Sequence, residues 1–545
     1  MGRSVIFRRL LAVCLAACLL LSGCSGIDLK GYWDNLLGVL SGAPAFSDME
    51  YTRPDMDAMQ KKLDDLCALA ANATDVEELT DGIWDFYELY DGFSTAYALS
   101  MIYYYEDLTD SYWAQEHQFC VENEATANAA LDSLYRALAA SPLRAQLEDE
   151  AYFGAGYFDY YETDSQYDET TLALLEQEAQ LLNRYYDVSA EAGSMDTYSD
   201  SYFTRYGTRM AQVYVELIAV RQQLAQHLGY SDYTDFAYDF YYYRDYTPAQ
   251  ATEYLDQIQL ELTPLYVQHL QSDFWDRGAA YSNEAKTFAY VSSMAEAMGG
   301  TIEEAFSTLK RNGLYSIHPG ANKYNASFEV YLPGYYQPFV FLNPAGSTFD
   351  HLTFAHEFGH FCSDYVSYGS VAGVDVAEIF SQGMEYLSLF YADGGSDLTA
   401  LKLSDCLCLY VEQAALASFE QQVYRLQGED LTVENVEKLY SSVCHAYGLD
   451  STGWDSRGYV NITHYFSNPM YIISYVVSND AALQLYQLEQ SQSGAGLAAL
   501  ESNLATTQAY FLAFLEEAGL TSPFAEGRLE AVKQLMAEKL LPNRA

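Results

Sequence analysis

The pentapeptide His356-Glu357-Phe358-Gly359-His360 constrains the fold more than any other stretch of the chain. Histidines four apart can share one ion only on a helix, where they lie one turn apart on the same face; in a strand they would stand about 13 Å apart. The segment is therefore expected to be helical, with both imidazoles on one face and Glu357 beside them, within reach of a water on the bound ion. The chain has only nine histidines, so a chance pairing at this spacing is rare. Two neutral imidazoles ask for a carboxylate and an open position to complete a hydrolytic zinc site. Cys362 falls on another side of the helix and is assigned to packing. Gly359 costs helix stability, about 1 kcal/mol against alanine, which implies a second backbone passing close by.

Downstream, "AEIFSQGMEYL" puts Glu378, Ser381, Gln382 and Glu385 on one helical face, with Glu378 18 residues beyond His360 (378 − 360). That separation allows a turn and an antiparallel return. A face of carboxylates in an acidic protein is ordinarily solvated, but Ile379, Phe380 and Leu387 mark this helix as buried elsewhere, so both a ligand role and a surface role stay open. Upstream, residues 327–343 hold two strand-like runs around Pro333-Gly334, a hairpin or small sheet before the motif. Its edge could hold an extended peptide, or the hairpin could simply cover the core. Ser347, Thr348 and Asp350 supply N-cap chemistry for the motif helix.

Elsewhere helical period dominates. Met56, Met59, Leu63, Leu66 and Cys67 form one apolar face; Val213, Leu217, Val220, Leu224 and Leu228 form another, stopped by Gly229. Thr247-Pro248-Ala249-Gln250 reads as a capped helix start. The acidic, tyrosine-rich stretch 158–203 is expected on the surface, and no internal repeat is present. With 545 residues and a net charge of −49, the chain can bury a large core and repels phosphate backbones, so nucleic acid is excluded as a partner. A cleft favouring basic peptides is a narrower reading of the same charge. At the N-terminus, Arg3, Arg8 and Arg9 precede a short apolar run ending in "LSGC". This resembles a bacterial lipoprotein signal, which implies cleavage before Cys24, lipidation of Cys24, and tethering at the extracytoplasmic face of a membrane through that anchor alone. The domain scheme is signal 1–23, tether 24–50, N-terminal helical lobe 51–325 and catalytic lobe 326–545. The remaining Cys67, Cys120, Cys362, Cys406, Cys408 and Cys444 are expected as buried free thiols.

"HEFGH" followed by "EIFSQGMEY" resembles the thimet oligopeptidase and oligopeptidase F family of zinc metallopeptidases, whose pattern is H-E-x-G-H and then E-x-x-S-Q-x-x-E. The resemblance implies Glu378 as third ligand, with His356 and His360, to one Zn2+. It implies Glu357 as general base, and it places Asp375 and Glu385 as acidic residues around the metal that could hold the imidazoles by their second nitrogens. "HYFSNPMYIISY" resembles the family's substrate-facing segment, implying substrate and oxyanion contacts from His464, Tyr471 and Tyr475. Ile473 departs from the pattern where a tyrosine is usual, and Ser363 where the thimet branch often has another histidine. The implied protein is mostly helical and two-lobed, with a small β-sheet next to the motif helix and a channel between lobes. It would be an endopeptidase for short unstructured peptides. The rivals are an exo-acting zinc dipeptidase or carboxypeptidase, which needs a basic residue for the terminal carboxylate, and a peptide-binding lipoprotein without catalysis. Oligomeric state is not legible in the sequence.

Overall fold

A computed structural model describes residues 43–541, apart from 150–151, 163–164, 194, 272–278, 370–372 and 453. The signal segment, Cys24 and most of the tether lie outside the described residues. By their internal contacts the rest form two units. The first holds the described residues up to 104 with 110–176 and 332–337; the second holds 105–109, 177–331 and 338 onward. Residues 177–325, grouped with the N-terminal lobe from sequence, thus share a unit with the motif helix.

The first unit is built on the helices Met56–Asn72 and Ser111–Ala139 and most of Val76–Glu106. Asp55 caps the first of these by accepting from the Ala58 amide. Its periodic face closes on the core: Met59, Leu63 and Leu66 are buried among Leu79, Phe86, Leu134 and Phe158, with Met56 and Cys67 partly buried at the rim.

In the second unit the expected face of Val213, Leu217, Val220 and Leu224 is buried on the helix Thr208–His227, and Gly229 follows in the left-handed conformation. The capping box at Thr247 and Gln250 is present in both directions. The strand-like runs around Pro333-Gly334 form β2 (Ser327–Leu332) and β3 (Gln337–Leu342), and a third strand unseen in the sequence, β1 (Tyr315–Ser316), pairs parallel with β3. The order β1-β3-β2 puts β3 at the centre, buried along its whole length, and leaves β2 at an edge, half-buried. A two-residue strand carries no periodic signal, which is why it escaped detection.

The stretch 158–203 is less exposed than its acidity suggests. Tyr185, Tyr202 and Phe203 are buried, and the Tyr185 ring stacks on Phe466 with centroids 3.8 Å apart. Tyrosine supplies a large apolar ring whatever charges flank it in sequence. The six cysteines are free thiols, buried apart from half-buried Cys67.

The motif helix (Phe349–Ser367) and the carboxylate helix (Val374–Tyr391) pack closely together. A Cβ on Gly359 would lie 2.6 Å from Ser381 Cα and 2.7 Å from the Phe380 carbonyl oxygen, so only glycine permits this crossing. Backbone cannot swing aside as a side-chain end can. Gly359→Ala is therefore expected to destabilise the fold by about 3 kcal/mol. Gly92→Ala, on a helix where an added Cβ meets nothing within 4 Å, should be neutral or stabilising by up to about 1 kcal/mol. Melting temperatures measured side by side test this, and equal tolerance of the two alanines would refute the close crossing.

Candidate metal centre

The site lies within the second unit and begins at the N-terminus of the motif helix. The cap differs from expectation. Thr348 occupies the N-cap position without a side-chain cap bond. Instead the Asp350 carboxylate accepts from the amides of Ala345, Gly346 and Ser347, while the Ser347 hydroxyl accepts from the Phe349 amide. The entry loop is thereby fixed to the helix it precedes.

One turn of this helix separates His356 from His360, whose ring centroids are 5.1 Å apart. The carboxylate helix brings Glu378 to both: Oε2 is 3.4 Å from His356 Nε2, and Oε1 is 3.8 Å from His360 Nε2. Each of the three side chains offers one donor atom within 4.8 Å of the others. Ligands at about 2.0–2.2 Å around one tetrahedral ion sit roughly 3–4 Å from one another, so this donor set fits zinc in both chemistry and spacing. Burial holds the His360 imidazole down at about 4, so it is neutral, as a ligand must be. Burial also disfavours charge on His356, yet hydrogen bonds to Glu378 and Glu385 raise it well above its ordinary value. Burial would raise Glu378, but His356, His360 and Tyr471 bring it down to about 2.

Glu357 points to the edge strand, where Ser327 of β2 contacts its carboxyl. Desolvation, aided by the charges of Glu378 and Glu385, raises it to about 7 against the opposing pull of His356 and Ser327. A carboxyl in that range can both take and return a proton near neutrality. Beside it, Glu329 of β2 and Asp364 of the motif helix meet as a half-buried carboxyl pair, each raised chiefly by desolvation, Asp364 to about 6.

The two acidic residues expected around the imidazoles part company. Glu385 Oε1 is 2.8 Å from His356 Nδ1. Asp375 does not hold an imidazole: its carboxylate is taken by Arg244, Tyr246 and Ser474. The Arg244 side chain is fully enclosed, and a carboxylate is the partner that makes a buried guanidinium tolerable.

The segment after His464 converges on the same place. Its three rings cluster, with Tyr471 5.3 Å from both His464 and Tyr475 between centroids. Tyr471 donates its hydroxyl to Glu378 Oε1 at 2.6 Å, which makes it a partner of a candidate ligand rather than of a substrate in this state. Met470, just before it, has a φ of 67°, strained for a side-chain-bearing residue. Tyr475 Oη lies 3.1 Å from His464 Nε2, and burial keeps His464 below its ordinary value, hence neutral. Arg221 fixes the short helix Thr463–Ser467 by donating to the carbonyls of Tyr465 and Phe466, with Glu178 at its Nε.

Sequence reasoning missed Arg221, Arg244, Ser327 and Lys402, which pairs with Glu385. A usable signal existed for Lys402: a lone cation inside the apolar run "TALKLSDCLCLYV" of a base-poor chain.

Residues 46–167 match the family described as the Peptidase M3 N-terminal domain. No curated protein matches the chain in sequence. Its fold is similar to an X-ray structure assigned to oligoendopeptidase F, at a TM-score of 0.81 and 21% identity over 91% of this chain and 99% of that one. It is similar to PZ peptidase A with an inhibitor, at 0.80 and 19% over 92% and 99%. It is also similar to a protein from Bacillus anthracis strain Ames assigned to oligoendopeptidase F, at 0.77 and 22% over 92% and 99%.

Glu378→Gln should abolish stoichiometric metal, whereas Glu357→Gln should retain it, because only the first of these carboxylates faces both imidazoles. Elemental analysis of the purified variants decides, and full metal in Glu378→Gln would place the third donor elsewhere.

Proposed function

We propose that this chain, an M3 peptidase of the oligopeptidase F type, is a zinc-dependent endopeptidase that hydrolyses short unstructured peptides outside the cytoplasm. The convergence of His356, His360 and Glu378 with Glu357 alongside is the observation that carries the reading. These three residues would hold the ion, which when bound supplies Lewis-acid chemistry, polarising the scissile carbonyl and acidifying a water. Glu357 takes the proton of the attacking water on its carboxylate and returns it to the departing amine.

Tyr475 is the donor for the negative charge that builds on the carbonyl oxygen. Its hydroxyl hydrogen is free for that task only if the 3.1 Å bond runs from His464 Nε2–H to the tyrosine oxygen, so His464 must carry its proton on Nε2. Tyr471 spends its hydrogen on Glu378 and steadies that carboxylate. β2, an edge strand of the sheet among the described residues and beside Glu357, suits an extended peptide backbone.

Extracytoplasmic placement is supported by the "LSGC" segment ending at Cys24. No helix among the described residues is long and apolar enough to cross a membrane. Cys24→Ser should move the protein from the membrane fraction to the soluble one, and persistent membrane attachment would refute the anchor.

Digestion of a mixed peptide library, with products identified by mass spectrometry, tests the activity. Internal cuts that stop with chelator and return with Zn2+ are expected; release of terminal residues or dipeptides alone would favour an exopeptidase. Tyr475→Phe should lower kcat about a hundredfold, or ~3 kcal/mol, with metal content and melting temperature near wild type. A silent substitution would make Tyr475 a packing residue.

A further inference from the structure

Lys402, on the helix Thr399–Val423, has no exposed surface. A buried ammonium is costly unless opposite charge answers it. Its Nζ lies 2.7 Å from Glu385 Oε2 and 3.1 Å from Asp405 Oδ2, above the Tyr386 ring at 4.8 Å. The other Glu385 oxygen, Oε1, is 2.8 Å from His356 Nδ1. The far nitrogen of that imidazole, Nε2, is one of the three converging donors. Asp405, Lys402, Glu385 and His356 therefore form a continuous line from the helix Thr399–Val423 to the candidate ligand atom.

Each link in the line has a directional reason. Glu385 is enclosed near two further carboxylates, Glu378 and Glu357, so a cation must offset it. Lys402 grips one oxygen and leaves the other aimed at Nδ1. Accepting a hydrogen from Nδ1 leaves the lone pair on Nε2, which is the tautomer a ligating histidine needs. Tyr386 below and Asp405 beside limit where the ammonium can sit.

We propose that Lys402 is a positioning residue of the metal centre, anchoring Glu385 so that the His356 ring is held with Nε2 presented to the ion. The inference rests on the zinc-site reading above. Lys402 touches neither ion nor substrate, so its effect belongs to metal affinity and not to the turnover of fully loaded enzyme.

The test uses full-length protein stripped of metal, with Zn2+ affinity measured by competition with a chromogenic chelator. Wild type, Lys402→Met, Glu385→Gln and the double variant are compared, and melting temperatures of the metal-free forms are followed alongside. Lys402→Met is expected to weaken Zn2+ binding 10–100-fold, with kcat at saturating Zn2+ near wild type. The double variant should bind no more weakly than Glu385→Gln alone, because Lys402 acts through Glu385. Unchanged affinity in Lys402→Met overturns the inference, as does a double variant whose loss is the sum of the two single losses. If Lys402→Met fails to fold with Glu385 stranded, the double variant, which removes both charges, decides by the same comparison. A wild type that binds no Zn2+ removes the zinc reading itself and this inference with it, a result distinct from the others.

Discussion

The backbone contact at Gly359 is the constraint on which the site depends. The helix that passes there meets it at Ser381, three residues after Glu378 and four before Glu385. Crossing at that point lets one helix address both nitrogens of His356, Glu378 at Nε2 and Glu385 at Nδ1. A wider separation of the two helices would withdraw both carboxylates together. The packing of two helices and the chemistry of one imidazole are thus a single geometric fact.

Around that crossing the molecule faces an electrostatic problem, because Glu357, Glu378, Glu385 and Asp375 are all buried. The chain has only 27 lysines and arginines against 76 acidic residues, and it commits several of them to the interior. Lys402 answers Glu385, Arg244 answers Asp375, and Arg221 answers Glu178 while holding backbone carbonyls. In low dielectric such pairs are worth having only when both members are placed, since a lone buried charge is costly. The acidity that shows in the composition extends into the interior: among the described residues ten Asp and Glu are buried against three Lys and Arg, so each buried cation is placed against a carboxylate.

What could be read from the sequence follows from range. The motif helix, its glycine and the return of the carboxylate helix were legible because i, i+4 spacing and a costly glycine are local signals. The helix faces at Met59 and Val213 were legible for the same reason. Glu378 and Glu385 stood out only as a face, and a resemblance was needed to single them out. Asp375 shows the limit: its position invited a role beside an imidazole, but its partners Arg244 and Tyr246 lie 131 and 129 residues away in the chain. No pattern within one helix reports such a partner. The two-residue strand β1 and the buried tyrosines of 158–203 were hidden by shortness and by charged neighbours respectively.

The bonds from Arg221 to the carbonyls of Tyr465 and Phe466 close loops of 244 and 245 residues, whereas the motif and carboxylate helices are neighbours in sequence. Loop closure over such a span has a larger entropic cost and a slower search than pairing of adjacent helices. The order of assembly is built into the topology: the two histidines and Glu378 can come together early, while His464 and the tyrosines after it are set only once distant parts of the chain have met. On the function proposed above, metal-binding capacity would therefore be acquired during folding before catalytic competence, and a chain caught between the two would be a chelator without turnover.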